Sequence, residues 1–133
     1  MIHQFTVRTG GQTSIENITS EVQRVVRESG VQNGVCHIFV PHTTAGVTIN
    51  EGGDPTVERD LLYELNKVIP FEDGYRHAEG NAAAHIKTTL VGPSLTVFVE
   101  SGRLTLGTWQ GLLLCEFDGP RQRRVMVKVV PDP

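Results

Sequence analysis

Residues 2–9, IHQFTVRT, alternate apolar and polar side chains, the period-two pattern of a half-buried strand. Gly10-Gly11 follows as a tight-turn dipeptide, because glycine accepts positive φ without steric cost, and QTSIENIT is expected to return as the hairpin partner. The period then changes. Val22, Val25 and Val26 in SEVQRVVRESG recur at helical spacing, with Thr19 or Ser20 as the expected N-cap and Gly30 as the stop. GVCHIFV returns to strand character with two mostly apolar faces: Val35, His37 and Phe39 on one, Cys36, Ile38 and Val40 on the other. Such a strand is expected to be covered on both sides, with His37 a satisfied core histidine. Pro41 ends it, and AGVTIN is the next strand.

GGDPTVERDLLYELNKVIP opens a helix, with Asp54 as N-cap, Pro55 at the first helical position and Pro70 as the stop. Its apolar stripe is Val57, Leu61, Leu65 and Val68, expected to be buried. FEDGYRHAEG reads as a loop, and AAAHIKTTLVG as a short helix ended by Gly92-Pro93. The remainder is strand: SLTVFVES, LTLGTWQGLLLCEF and RVMVKVV, the last two joined by a hairpin turn at Asp118-Gly119-Pro120-Arg121. The order ββαββααβββ, with no repeat and no linker, predicts one α+β domain over residues 1–133. Its antiparallel sheets form a sandwich-like core, with helices packed outside.

Composition narrows the classes. A chain of 133 residues with 38% hydrophobic side chains can bury one core and is not disordered. A net charge of -3 argues against a general nucleic-acid binder, so RQRR at 121–124 reads as a solvated turn. No apolar run approaches the roughly 20 residues that cross a bilayer. The start, MIHQFTVRTGG, has no basic region followed by a long apolar one, so no signal peptide is expected. Cys36 and Cys115 each sit in an apolar run and read as buried thiols. These features together point to the reducing cytoplasm.

Candidate chemistry concentrates in YRHAEGNAAAHIKTTL, residues 75–90. On one unbroken helix His77 and His85 would stand about 12 Å apart along the axis, too far to share a ligand. Gly80 favours a break and Asn81 a helix start, which puts His77 and Glu79 on an approach loop. His85 would then lie one turn into the helix, near the positive end of its dipole. Two partly exposed polar histidines remain the alternative. A second candidate is VPHTTAGVTINEGGD, with His42 at a strand end, hydroxyls at Thr43 and Thr44, and Asn50, Glu51 and Asp54 further on. A third is ESGRLTLGTWQG, where Ser101, Arg103 and the turn backbone could hold a phosphate or form an ordinary hairpin. Gln110 needs a polar partner if buried, and Trp109 reads as core or bulge.

FVPHTTAGVTINEGGDPTVERDL, the run from YRHAEGNAAAHIK to GPRQRRV, and the spacing between them resemble the YjbQ family, also labelled secondary thiamine-phosphate synthase. The resemblance spans about residues 5–130. It implies an α+β fold with a central β-sandwich and a homotrimer. It also implies a site where His42, His77 and His85 converge on a metal or an anion. Asn50, Glu51, Asp54, Glu79, Asn81, Ser101, Arg103 and Gln110 become candidates for the surrounding wall.

The family's named reaction joins a pyrimidine methyl diphosphate to a thiazole phosphate and expels pyrophosphate. Such chemistry ordinarily uses Mg²⁺ on oxygen ligands, whereas three imidazoles suit zinc. The residues therefore favour a divalent-metal-dependent enzyme on a small phosphorylated metabolite, with Glu51 or Glu79 as general base and thiamine-phosphate synthesis as a secondary activity. A non-catalytic trimeric module that binds metal or phosphate esters is the alternative, and a structural trimer with inert histidines a third.

Overall fold

The computed structural model describes residues 1–133. Strands β1 (His3–Arg8), β2 (Ser14–Asn17), β3 (Gly34–Phe39), β4 (Ala45–Glu51), β5 (Ser94–Glu100), β6 (Arg103–Leu104), β7 (Gln110–Glu116) and β8 (Gln122–Pro131) are interleaved with helices α1 (Thr19–Ser29), α2 (Pro55–Val68) and α3 (Ala82–Val91). The strands form two antiparallel sheets, one ordered β1-β8-β3-β5-β6 and the other β2-β7-β4. The sandwich-like α+β fold expected from the pattern is present. No helix is long and apolar enough to cross a membrane.

The core lies between the sheets. Cys36, Ile38 and Val40 meet Val97, Val99, Val125 and Val127 from one sheet and Val47, Leu112 and Leu114 from the other, with Val22 and Val26 of α1 closing one side. A second, smaller apolar cluster lies on the far side of β7, where Cys115 and Phe117 pack under Ala84 of α3 and against Leu62 and Leu65 of α2. The layers are thus five strands, three strands, then two helices. Gly46 brings α3 down onto β4: a Cβ there would lie 2.6 Å from the carbonyl oxygen of Gly92, a contact that no larger residue could make without displacing backbone.

Several local expectations change. Gly10-Gly11 does not close a hairpin, since β1 pairs with β8 and β2 with β7, so the turn carries the chain from one sheet to the other. The segment Asp118–Arg121 does the same for β7 and β8. Each turn obeys local rules, but partner choice is set by core packing between sheets. LTLGTWQGLLLCEF divides into β6 and β7, with Trp109 72% exposed in the turn between them. The N-cap of α1 is Ile18, not Thr19 or Ser20. The Thr19 hydroxyl instead accepts from the Leu112 N–H at 2.8 Å, and Asn17 Oδ1 accepts from the Thr19 N–H. Asp54 caps α2 as expected, its carboxylate accepting from the Thr56 N–H at 2.9 Å. The α2 stripe is not buried: Val68 is exposed, and Val57, Leu61 and Leu65 are only half-covered, because the helix rests on the sheet by one edge. β3 is covered on one side only. Val35 lies across from Phe98 and Val130 on an outward face where Phe39 and Phe98 are exposed, and His37, also exposed, meets the Thr96 hydroxyl at 3.0 Å.

Candidate functional site

The site is built where the loop after β3, the approach to α3 and the connection from β7 to β8 meet. Register sets the first two contacts. Ala45 pairs with Glu116, so the segment His42-Thr43-Thr44 lies beside the end of β7. Glu116 has the same strand parity as Leu112 and Leu114, and Arg123 the same as Val125 and Val127, so both charged side chains point between the sheets. They are buried there as an ion pair. Arg123 Nε donates to Glu116 Oε1 at 2.7 Å and Nη2 donates to Oε2. The Thr9 hydroxyl and the Asp118 N–H donate to the same carboxylate at 2.8 and 2.9 Å. Burial alone would raise the Glu116 carboxyl, but hydrogen bonds from Arg123, Asp118 and Thr9 outweigh it and hold the group below its usual range.

This pair anchors the histidine loop. Arg123 Nη2 donates to the Thr44 hydroxyl at 2.8 Å and to its carbonyl at 3.2 Å. The next residue along β8, Arg124, donates its backbone N–H to His42 Nε2 at 2.8 Å. Desolvation, then the positive charges of Arg123 and Arg124, lower the His42 pKa from its ordinary value.

Asn81 marks the boundary that its sequence position suggests, but by its backbone. Its carbonyl accepts from the Ala84 N–H at 3.0 Å, while its side chain makes no cap and donates instead to Asp118 Oδ2 at 2.9 Å. Asp118 also receives Arg121 Nη2 at 3.0 Å. α3 is thereby tied to the β7–β8 connection. His77, on the loop, and His85, one turn into α3, have ring centroids 5.2 Å apart, nearly perpendicular. Glu79 Oε2 lies 4.0 Å from His77 Nε2. One cavity of about 510 Å³ is lined by His42, His77, His85, Glu79, Asn81, Thr43, Thr44, Pro41, Asp118, Arg121 and Arg123, with no hydrophobic residue among them.

The other predicted wall residues lie elsewhere in the chain. β4 spans seven residues, about 20 Å, with His42 just before its start and Asn50 and Glu51 at its end. Asp54 lies beyond them, committed to capping α2. Gln110 pairs across from Glu51 and spends its side chain on the Gly107 N–H at 2.8 Å. Ser101 and Arg103 line a different and larger concavity, about 940 Å³, between α1 and the β5–β6 turn. That turn has Ser101 and Gly102 at positive φ, but the Gly102 N–H donates to Gln32 O and the Ser101 N–H to Asn33 Oδ1, which leaves no backbone anion nest. Within one chain, therefore, neither Glu51 nor these other five residues line the histidine cavity. Asp118, Arg121 and Arg123 were missed, since RQRR read as a solvated tip. The signal was strand parity, which turns Arg123 inward beneath an otherwise apolar stripe.

Comparison with known proteins places the sequence and the fold. The sequence matches the family described as UPF0047 protein YjbQ-like over residues 3–132. This chain belongs to that family. It is 47% identical over 131 residues to the UPF0047 protein YugU of Bacillus subtilis, covering 98% of this chain and 99% of that protein. A UPF0047 protein of Methanocaldococcus jannaschii is 43% identical over 132 residues, covering 99% and 96%. Among solved structures, a YjbQ/UPF0047 family protein of Clostridium acetobutylicum superposes with a TM-score of 0.95 at 48% identity, covering 96% of this chain and 99% of that one. A YbjQ-like protein of unknown function from Sulfolobus solfataricus also gives 0.95, at 32% identity, covering 99% and 97%. The YjbQ-like fold is thus shared at both high and low identity.

The donor set fits a cation in part. Ring nitrogens about 2.0–2.1 Å from one ion put two imidazole centroids roughly 5 Å apart, close to the His77–His85 spacing. No group of three His, Cys, Asp or Glu side chains stands ready to hold a metal, however, and His42 already spends Nε2 on Arg124.

Proposed function

We propose that the protein is an enzyme acting on a small phosphorylated molecule in the cavity that His42, His77 and His85 line. One observation carries this reading: three separate chain segments bring three histidines and two arginines to a single concave wall with no apolar lining. The phosphoryl group is held by Arg121 and the Thr43 hydroxyl, which line the cavity together. His77 and His85, with Glu79 adjacent, take a divalent cation or exchange a proton with the substrate. Imidazole donors suit zinc better than Mg²⁺. A bound cation there would supply Lewis-acid polarisation of a phosphoryl oxygen. Of the two candidate general bases, Glu79 is the one on the cavity wall. Thiamine-phosphate synthesis stays within this reading as one substrate pair to test.

A homotrimer is part of the proposal. It is supported by the outward face of the five-stranded sheet, where Phe39, Phe98 and Val130 are exposed side by side with Val35. The test is metal analysis of freshly purified protein, then turnover against a panel of phosphorylated metabolites that includes the pyrimidine diphosphate and thiazole phosphate pair. Stoichiometric zinc lost in His85→Ala, with metal-dependent turnover, is the expected result. Tight phosphate-ester binding without turnover would leave the binding module instead, and neither metal nor binding would sink both.

A further inference from the structure

We infer that His42 is a fixed hydrogen-bond donor to the phosphoryl oxygens and not a ligand of the metal. The inference rests on the phosphorylated-substrate reading and divides the cavity into an anion side and a cation side. The geometry is decisive at one bond. β3 stops pairing with β8 at Phe39–Met126, and two residues along β8 the His42 ring supplies the acceptor that β3 no longer does, taking the Arg124 N–H on Nε2 at 2.8 Å. A neutral imidazole has one acceptor nitrogen and one donor nitrogen. A lone pair on Nε2 therefore places the proton on Nδ1. Turning the ring over would set a Cε1–H against the Arg124 N–H, and an imidazolium would set an N–H there, so both alternatives lose the bond.

The consequence for ligation is direct. For Nδ1 to bind a metal, its proton must leave or move to Nε2, and either course gives up the bond to Arg124 or makes an imidazolate. For an anion, Nδ1–H is already a donor, and Arg121 on the same cavity wall is a second. The lowered pKa of His42, from burial and the neighbouring arginines, agrees with a ring kept neutral. His77 and His85 carry no such commitment to a backbone group and keep the spacing that one cation requires.

The full-length protein, ¹⁵N-labelled at histidine, tests this by long-range ¹⁵N–¹H correlation. His42 is expected as the pure Nδ1–H tautomer, its Nδ1 signal moving with inorganic phosphate but not with zinc. Zinc is expected to move His77 and His85. Two variants give a second readout. His42→Ala should weaken phosphate at least about tenfold, the loss of one charge-assisted hydrogen bond, while zinc stoichiometry holds. His42→Gln, whose amide can accept from Arg124 and donate to phosphate, should recover most of that loss. An Nε2–H tautomer, or zinc lost in His42→Ala as in His85→Ala, overturns the inference and leaves the proposed function standing. No histidine responding to phosphate would instead remove the phosphorylated-substrate reading, and with it the donor role.

Discussion

Replacing Arg123 by Met tests how the histidine loop is held. The guanidinium is almost fully buried against a fully buried Glu116 carboxylate. Its removal leaves that carboxylate without its main partner between two sheets, a change that ordinarily costs 3–5 kcal/mol. Thr44 loses two hydrogen bonds as well. Against a total of about 5–15 kcal/mol for a domain, this removes about a fifth or more of the stability. At about 3–5 °C per kcal/mol for a chain of this size, the melting temperature should fall by about 9–25 °C. Far-UV circular dichroism at fixed protein concentration is the assay, because Trp109 is already exposed and would report unfolding weakly. The double variant Glu116→Leu/Arg123→Met removes both charges and should regain most of the loss. Its phosphate affinity should stay low, since Thr44 is still unanchored. A single-variant loss under about 1 kcal/mol would refute the reasoning, and so would a double variant that binds phosphate normally.

Three further outcomes follow from named contacts. His42 has a folded pKa below its ordinary 6.5, so its contribution to stability is complete above that pH and is lost as pH falls through the lower folded value. The Glu116 contribution, also from a depressed group, begins to be lost only below its ordinary 4.5. Chemical denaturation between pH 5 and 7 should therefore show an acid loss in the native protein that His42→Gln flattens; equal slopes would reject it. Gly46→Ala should cost about 1–3 kcal/mol by urea unfolding and weaken ligand binding, because the added Cβ meets the Gly92 carbonyl and lifts α3, which carries His85. Unchanged stability would mean that α3 is not seated on β4 as described. Phe98→Glu should lower the mass seen by light scattering to that of a single chain without unfolding it; an unchanged mass would move the association surface elsewhere.

Local signals in the sequence were sufficient where one residue's own chemistry sets the backbone. Asp54-Pro55 starts α2, Gly80-Asn81 divides His77 from α3, and the alternation in GVCHIFV makes a strand, because caps, positive φ and side-chain period act over a few residues. That His42, His77 and His85 would lie near one another was implied by the family resemblance, not by spacing, and all three line one cavity. What only the tertiary structure decided was partner choice. Gly10-Gly11 and Asp118–Arg121 look like hairpin turns but join different sheets, because burial of the inner faces outweighs local turn preference. Parity alone could not show that Arg123 would find Glu116, or that the Arg124 backbone would settle which nitrogen of His42 carries a proton. Nor could it show that Lys87, a charge on a short helix, would be buried with its amine 3.8 Å from the centre of the Phe71 ring. Each of these depends on groups distant in sequence being packed together, and that information exists only once the sheets close.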